Sequence, residues 1–112
     1  MLELSRRFRL ASTPMYLEFA AGLREYRCSP WSTVTFTPRG WKGPCYLIGE
    51  RYTHDWREFW EGTDWARWES REDPRCQGCA MHSGFEASAV IEARRSARDL
   101  ARLLAWNLGA AA

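Results

Sequence analysis

Four cysteines, Cys28, Cys45, Cys76 and Cys79, are the residues of this 112-residue chain whose chemistry most narrows its function. Four thiols can pair as two disulfides, hold one zinc ion or ligate an iron–sulfur cluster. Disulfides are the poorest of these choices in a reducing cytosol. Cys76-Gln77-Gly78-Cys79 is a Cys-x-x-Cys turn, which aims two thiolates at one metal centre and leaves backbone N–H groups pointing at the sulfurs. Taken alone, that motif favours zinc, because structural zinc sites are common. A redox dithiol is a weaker reading, since the motif lacks the preceding strand and following helix of thioredoxin-like chemistry. His82, three residues after Cys79, is placed to substitute as a ligand, although four thiolates already complete a site. A half-exposed histidine near a helix start is its simpler reading, and His54, with no metal-like companion, reads as surface.

The elements that must carry these thiols are set by the pattern around them. Thr13-Pro14 is a helix start, a capping hydroxyl followed by proline at the first helical position. Tyr16, Leu17, Ala20 and Leu23 recur at helical spacing, and Gly22 ends or frays that helix. Val34 and Phe36 then alternate with Thr33, Thr35 and Thr37 as in a strand. Pro38-Arg39-Gly40 predicts a turn and Cys45-Tyr46-Leu47-Ile48 a returning strand, giving a small hairpin flanked by Cys28 and Cys45. Trp56, Phe59, Trp60, Trp65 and Trp68 predict two short helices broken at Gly62-Thr63, followed by a loop from Asp73 to Cys79. Ser83 with Glu86 has the form of a capping box opening a helix towards Arg94. Ser96 with Asp99 resembles a second box, opening a last helix to Leu108 with Gly109 as its stop. The expected fold is α+β, mostly helical, a small β-hairpin plus short helices organised around a four-cysteine metal site.

The segment Cys28-x11-Gly40-x4-Cys45 looks like the opening motif of SPASM and twitch domains, the auxiliary cluster domains of many radical S-adenosylmethionine (SAM) enzymes. Ser12-Thr13-Pro14-Met15-Tyr16-Leu17-Glu18-Phe19, Cys28-Ser29-Pro30-Trp31, Gly40-Trp41-Lys42-Gly43-Pro44-Cys45-Tyr46-Leu47 and Cys76-x-x-Cys79-x-x-His82-x-Gly84-Phe85-Glu86 resemble one family in particular. That family is the C-terminal auxiliary domain, a domain of unknown function, of adenosyl-hopene transferase-like radical SAM proteins. The likeness covers residues 12–90 of a chain read as one domain over 1–112, with a C-terminal amphipathic helix at 96–108. The resemblance implies a twitch-like, single-cluster domain in which Cys28, Cys45, Cys76 and Cys79 bind one [4Fe–4S] cluster, with zinc as the alternative occupant. It implies docking on a radical SAM catalytic barrel, in cis or in trans. The barrel's Cys-x3-Cys-x2-Cys motif is missing here, so the chain is not expected to cleave SAM alone and is read as a fragment or a split subunit. Ser83 stands where some relatives are expected to carry cysteine. Four thiolates then leave no open iron, which points to a structural or electron-relay cluster.

Composition bounds the remaining classes. The formal net charge is +2 and Lys42 is the only lysine, with no dense basic block, so nucleic acid is not an expected partner. Seven Trp suggest core and docking surface together. No apolar run approaches a bilayer span of about twenty residues. Ser5-Arg6-Arg7-Phe8-Arg9-Leu10 resembles a twin-arginine signal, but Arg9 stands at an apolar position and Pro14, Glu18 and Arg24 interrupt any hydrophobic segment after it. The chain is expected to be cytoplasmic. In the last helix Ala97, Leu100, Ala101, Leu104 and Leu108 form an apolar stripe beside Arg94, Arg98 and Arg102. Packing against the helix's own domain is preferred here to peripheral membrane contact. An adaptor whose zinc site only holds the fold is the alternative function.

Overall fold

The computed structural model describes residues 2–109. Six helices and three strands run in the order α1 (Leu2–Arg7), α2 (Pro14–Ala20), β1 (Thr35–Thr37), β2 (Gly40–Pro44), β3 (Gly49–Thr53), α3 (Trp56–Glu61), α4 (Trp65–Ser70), α5 (His82–Ala93) and α6 (Ala97–Asn107). Single 3₁₀ turns cover Pro30–Thr33 and Pro74–Cys76. The chain divides into two compact units, Met1–Tyr26 with Phe85–Ala112, and Arg27–Gly84. The mostly helical character holds, with a small antiparallel sheet. No described helix is long and apolar enough to cross a membrane.

In the first unit, α2 starts where expected. The Thr13 hydroxyl accepts from the Tyr16 amide at 3.2 Å, and Pro14 occupies the first turn. At its other end Gly22 and Leu23 donate to Phe19 and Glu18 carbonyls, the paired bonds that close a Schellman motif. Met15, Tyr16, Leu17 and Phe19 are buried, and Phe19 stacks on Phe85 of α5 at 4.3 Å between ring centroids. Phe85, Ala89 and Ala93, spaced four apart, form the buried side of α5.

Two local expectations change here. Helix α5 begins at His82, so Ser83 lies in its first turn and is not the cap. Glu86 Oε1 instead accepts from the Thr13 amide at 2.7 Å, because that amide at the start of α2 has no partner within its own helix. The second box holds better: Ser96 Oγ accepts from the Asp99 amide at 3.2 Å, and Gly109, at φ 74°, follows the end of α6.

Helix α6 packs with its polar side inward. Asp99 and Arg102 are half-buried, joined to Glu18 and Arg24 by ion pairs of 2.5–3.4 Å. Leu100, Leu104 and Leu108 are 41, 55 and 85 % exposed. The apolar stripe therefore faces outward, and a ring of four mutually satisfied charges takes the place expected for it.

The second unit holds the sheet, in the order β1-β2-β3. Three strands replace the expected two, and Cys45–Ile48 is the connection between β2 and β3 rather than a strand. The turn before β2 is tight: Thr37 Oγ1 accepts from the Arg39 amide and donates to the Gly40 carbonyl, so the return begins at Gly40. Proline at position 44 has no N–H with which to extend the ladder, and the chain turns, with the Cys45 amide donating to the Ile48 carbonyl at 3.4 Å. Trp41 pairs with Thr53 across β2 and β3. Its ring lies 5.9 Å from Phe59 and 4.7 Å from Trp56, and Trp60 and Trp65 continue the aromatic cluster. The expected break at Gly62-Thr63 is present, with Asp55 and Asp64 capping α3 and α4.

Candidate metal centre

All four cysteines lie in the second unit, each half-buried with a free thiol. Cys28 is fixed from both sides by its main chain. Its amide donates to the Glu69 carbonyl at the end of α4, and the next amide, Ser29, donates to the Gly84 carbonyl at the start of α5, both at 3.0 Å. Trp31 Nε1 donates to Glu69 Oε1 at 2.7 Å and Ser32 Oγ to the Ser29 and Ser83 carbonyls, which hold the 3₁₀ turn after Cys28. Gly84 is buried against the sulfur: a Cβ there would stand 2.8 Å from Cys28 Sγ.

Cys45 opens the turn after β2, and the Ile48 amide donates to its Sγ at 3.3 Å. Cys76 and Cys79 close a second turn, with the Cys79 amide donating to the Cys76 carbonyl at 3.2 Å. Gln77 at φ −67°, ψ 132° and Gly78 at φ 71° make this a type II turn, whose third position requires the left-handed backbone glycine adopts.

The Cys-x-x-Cys turn is braced by charge. Asp73 is buried and accepts from the Arg75 amide and guanidinium at 2.8–2.9 Å, with Arg67 a further 3.5 Å away. The Arg75 hydrogen bonds hold the Asp73 carboxyl well below the usual carboxylate range. Arg75 also bonds Glu50 of β3, linking the turn to the sheet. Arg71 Nη2 donates to the carbonyls of Cys76 and Cys79 at 3.2 and 3.4 Å, and Gln77 Nε2 donates back to the Arg71 carbonyl at 2.8 Å.

Burial pushes the Cys28 thiol up to about 12; Cys79, Cys45 and Cys76 add to the rise and Arg71 opposes it. Burial likewise raises Cys76, with Asp73, Cys45 and Cys79 adding and Arg71 again opposing. The other three thiols thus bear on Cys28, and Cys45 and Cys79 bear on Cys76. Among the described residues, no group of three or more His, Cys, Asp or Glu side chains is arranged to hold a metal ion.

A family model described as a domain of unknown function, DUF3463, matches residues 1–103. The chain belongs to the DUF3463 family. Comparisons with curated proteins and with solved structures gave no match.

Cys28, Cys45, Cys76 and Cys79 thus lie in one unit of this DUF3463 chain. His82 is exposed at the start of α5, and His54 is exposed on the surface. Sequence reasoning missed Arg71, Arg75 and Glu50, and gave Asp73 and Gly84 no part beyond a loop start and a motif position. Asp73-Pro74 could have been found, since an aspartate before proline is a helix-start signal. Nothing local marked Arg71, because its role depends on residues brought near by folding.

Proposed function

We propose that this chain is an auxiliary iron–sulfur domain of a radical SAM enzyme, binding one [4Fe–4S] cluster through Cys28, Cys45, Cys76 and Cys79. The observation that carries the reading is that one compact unit holds all four thiols, with Cys76 and Cys79 presented by a single turn and Cys28 packed against Gly84. Two features of the surroundings support it. Gly84 places no Cβ against Cys28 Sγ, and the Ile48 amide is aimed at Cys45 Sγ. Amides directed at thiolate sulfurs are the recurring way proteins stabilise and tune such ligands.

When bound, the cluster would supply structural cross-linking or a one-electron relay. The protein's part is to hold the thiolates: Glu69 and Gly84 carbonyls fix the Cys28 main chain, the turn after β2 presents Cys45, and Asp73 with Arg75 shapes the loop of Cys76 and Cys79. The ligand set has four thiolates and no further cysteine, which supports a structural or relay role over substrate binding. A radical SAM barrel, in cis or in trans, is the proposed partner, on the motif resemblance from Ser12 to Val90.

The test is metal and acid-labile sulfide content, with an absorption spectrum, on protein purified and reconstituted without oxygen. About four iron and four sulfide per chain, lost when any of the four cysteines is changed to serine, is the expected result. About one zinc per chain with no sulfide after reconstitution would overturn it in favour of a structural zinc module.

A further inference from the structure

Arg71 stands in a backbone conformation that its side chain disfavours. It ends α4 at φ 63°, the only described residue other than glycine with positive φ, where a helix of this kind ordinarily places glycine. A residue held against its conformational preference is a reason to ask what its side chain does. Here Nη2 reaches the carbonyls of both cysteines of the Cys-x-x-Cys turn, at 3.2 and 3.4 Å. Gln77, inside that turn, donates to the Arg71 carbonyl, so the main chain and side chain of Arg71 are both tied to the loop. Its Nε is buried, although the residue as a whole is half-buried.

We propose that Arg71 is the positioning residue and counter-charge of the four-cysteine site. It holds the carbonyls of Cys76 and Cys79 in the turn that presents their sulfurs, and it offsets the negative charge that four thiolates bring together. The inference rests on the cluster reading given above and deepens it. A cationic group beside a thiolate-bound cluster favours its reduced, more negative form, so the reduction potential is the property a purely structural arginine would leave alone.

The experiment compares wild type, Arg71→Lys and Arg71→Gly as full chains after anaerobic reconstitution with iron and sulfide. Glycine relieves the left-handed backbone, so R71G retains the fold while removing the guanidinium. Thermal midpoint, iron and sulfide load, and midpoint potential in a dithionite titration are measured for each. The expected result is an R71G protein as stable as wild type before reconstitution. Its potential should be lower by at least a tenfold shift in the one-electron equilibrium, about 59 mV. R71K, which keeps the charge, should stay close to wild type. Failure of R71G to load at all, with R71K loading, also supports the proposal. Equal loads and equal potentials in all three proteins would overturn it. If wild type takes up zinc and no sulfide, the cluster reading fails by itself, and Arg71 is judged on zinc affinity. A loss of tenfold or more in R71G supports the positioning role, and an unchanged affinity overturns it.

Discussion

Gly84, the third residue of α5, lies so close to Cys28 that a methyl group in place of its hydrogen would sit 2.8 Å from the sulfur. The two residues are also joined through the main chain, since the Ser29 amide donates to the Gly84 carbonyl. The main chain of the Cys28 segment is therefore tied to the helix start, while the Cys28 side chain can still change rotamer. A Gly84→Ala substitution should turn Cys28 Sγ away while the helix stays in place. The expected outcome is a folded protein, destabilised by about 1–3 kcal/mol from overpacking. Its affinity for iron or zinc should fall by about tenfold or more. Metal titration beside thermal unfolding separates the two effects, and full affinity in G84A would show that Cys28 has room to spare.

The ring of Glu18, Arg24, Asp99 and Arg102 should make the first unit sensitive to acid. Burial pushes the Glu18 carboxyl up, but Arg102 and Arg24 outweigh it and the net shift is downward. The Arg24 hydrogen bond holds Asp99 below its ordinary value, with burial opposing. Both carboxyls bind a proton more weakly folded than unfolded, so their stabilisation is present above the ordinary carboxylate pKa of about 4. It is lost as pH falls through the depressed folded values. Glu18→Gln and Asp99→Asn should each cost about 1–3 kcal/mol near neutral pH and flatten the acid limb of the stability curve. A series of denaturant melts between neutral pH and pH 3 checks this, and parallel curves for wild type and variants would count against it.

Thr13 caps α2 with its hydroxyl and presents its amide to Glu86, so it ties two helices of one unit at a single residue. Thr13→Ala should remove only the hydroxyl bond and cost about 1 kcal/mol, with Thr13→Ser close to neutral. Glu86→Gln keeps an acceptor oxygen and should be milder than Glu86→Ala. Chemical denaturation of the four variants tests that order.

The outward stripe of α6 should tolerate what the core does not. Leu104→Gln, at an exposed position, should change stability by about 0.5 kcal/mol or less. Phe85→Ala, which empties the place of a ring stacked on Phe19, should cost about 3–5 kcal/mol. Similar losses in the two variants would mean that the leucine stripe is covered in solution.

Local signals carried much of this fold. Thr13-Pro14, Ser96 with Asp99, the break at Gly62-Thr63 and the stop at Gly109 are short-range devices, satisfied within a turn or two of chain, and they stand where their residue types point. The four cysteines were legible for the same reason: thiols are scarce, and Cys-x-x-Cys closes through a turn that Gly78 alone permits. What only the tertiary structure decided depends on partners distant in the chain. Glu86 resembled the reciprocal half of a capping box, yet the amide it meets belongs to Thr13, 73 residues earlier. The apolar stripe of α6 looked destined for the core, but a helix buries whichever side finds compensation, and Glu18 and Arg24 neutralise Asp99 and Arg102. The closeness of Gly84 to Cys28, and of Arg71 to the turn of Cys76 and Cys79, has no sequence periodicity at all. Spacing along a chain encodes hydrogen bonds within a helix or turn, whereas the field and the free space around a thiol are set by whatever folding packs beside it.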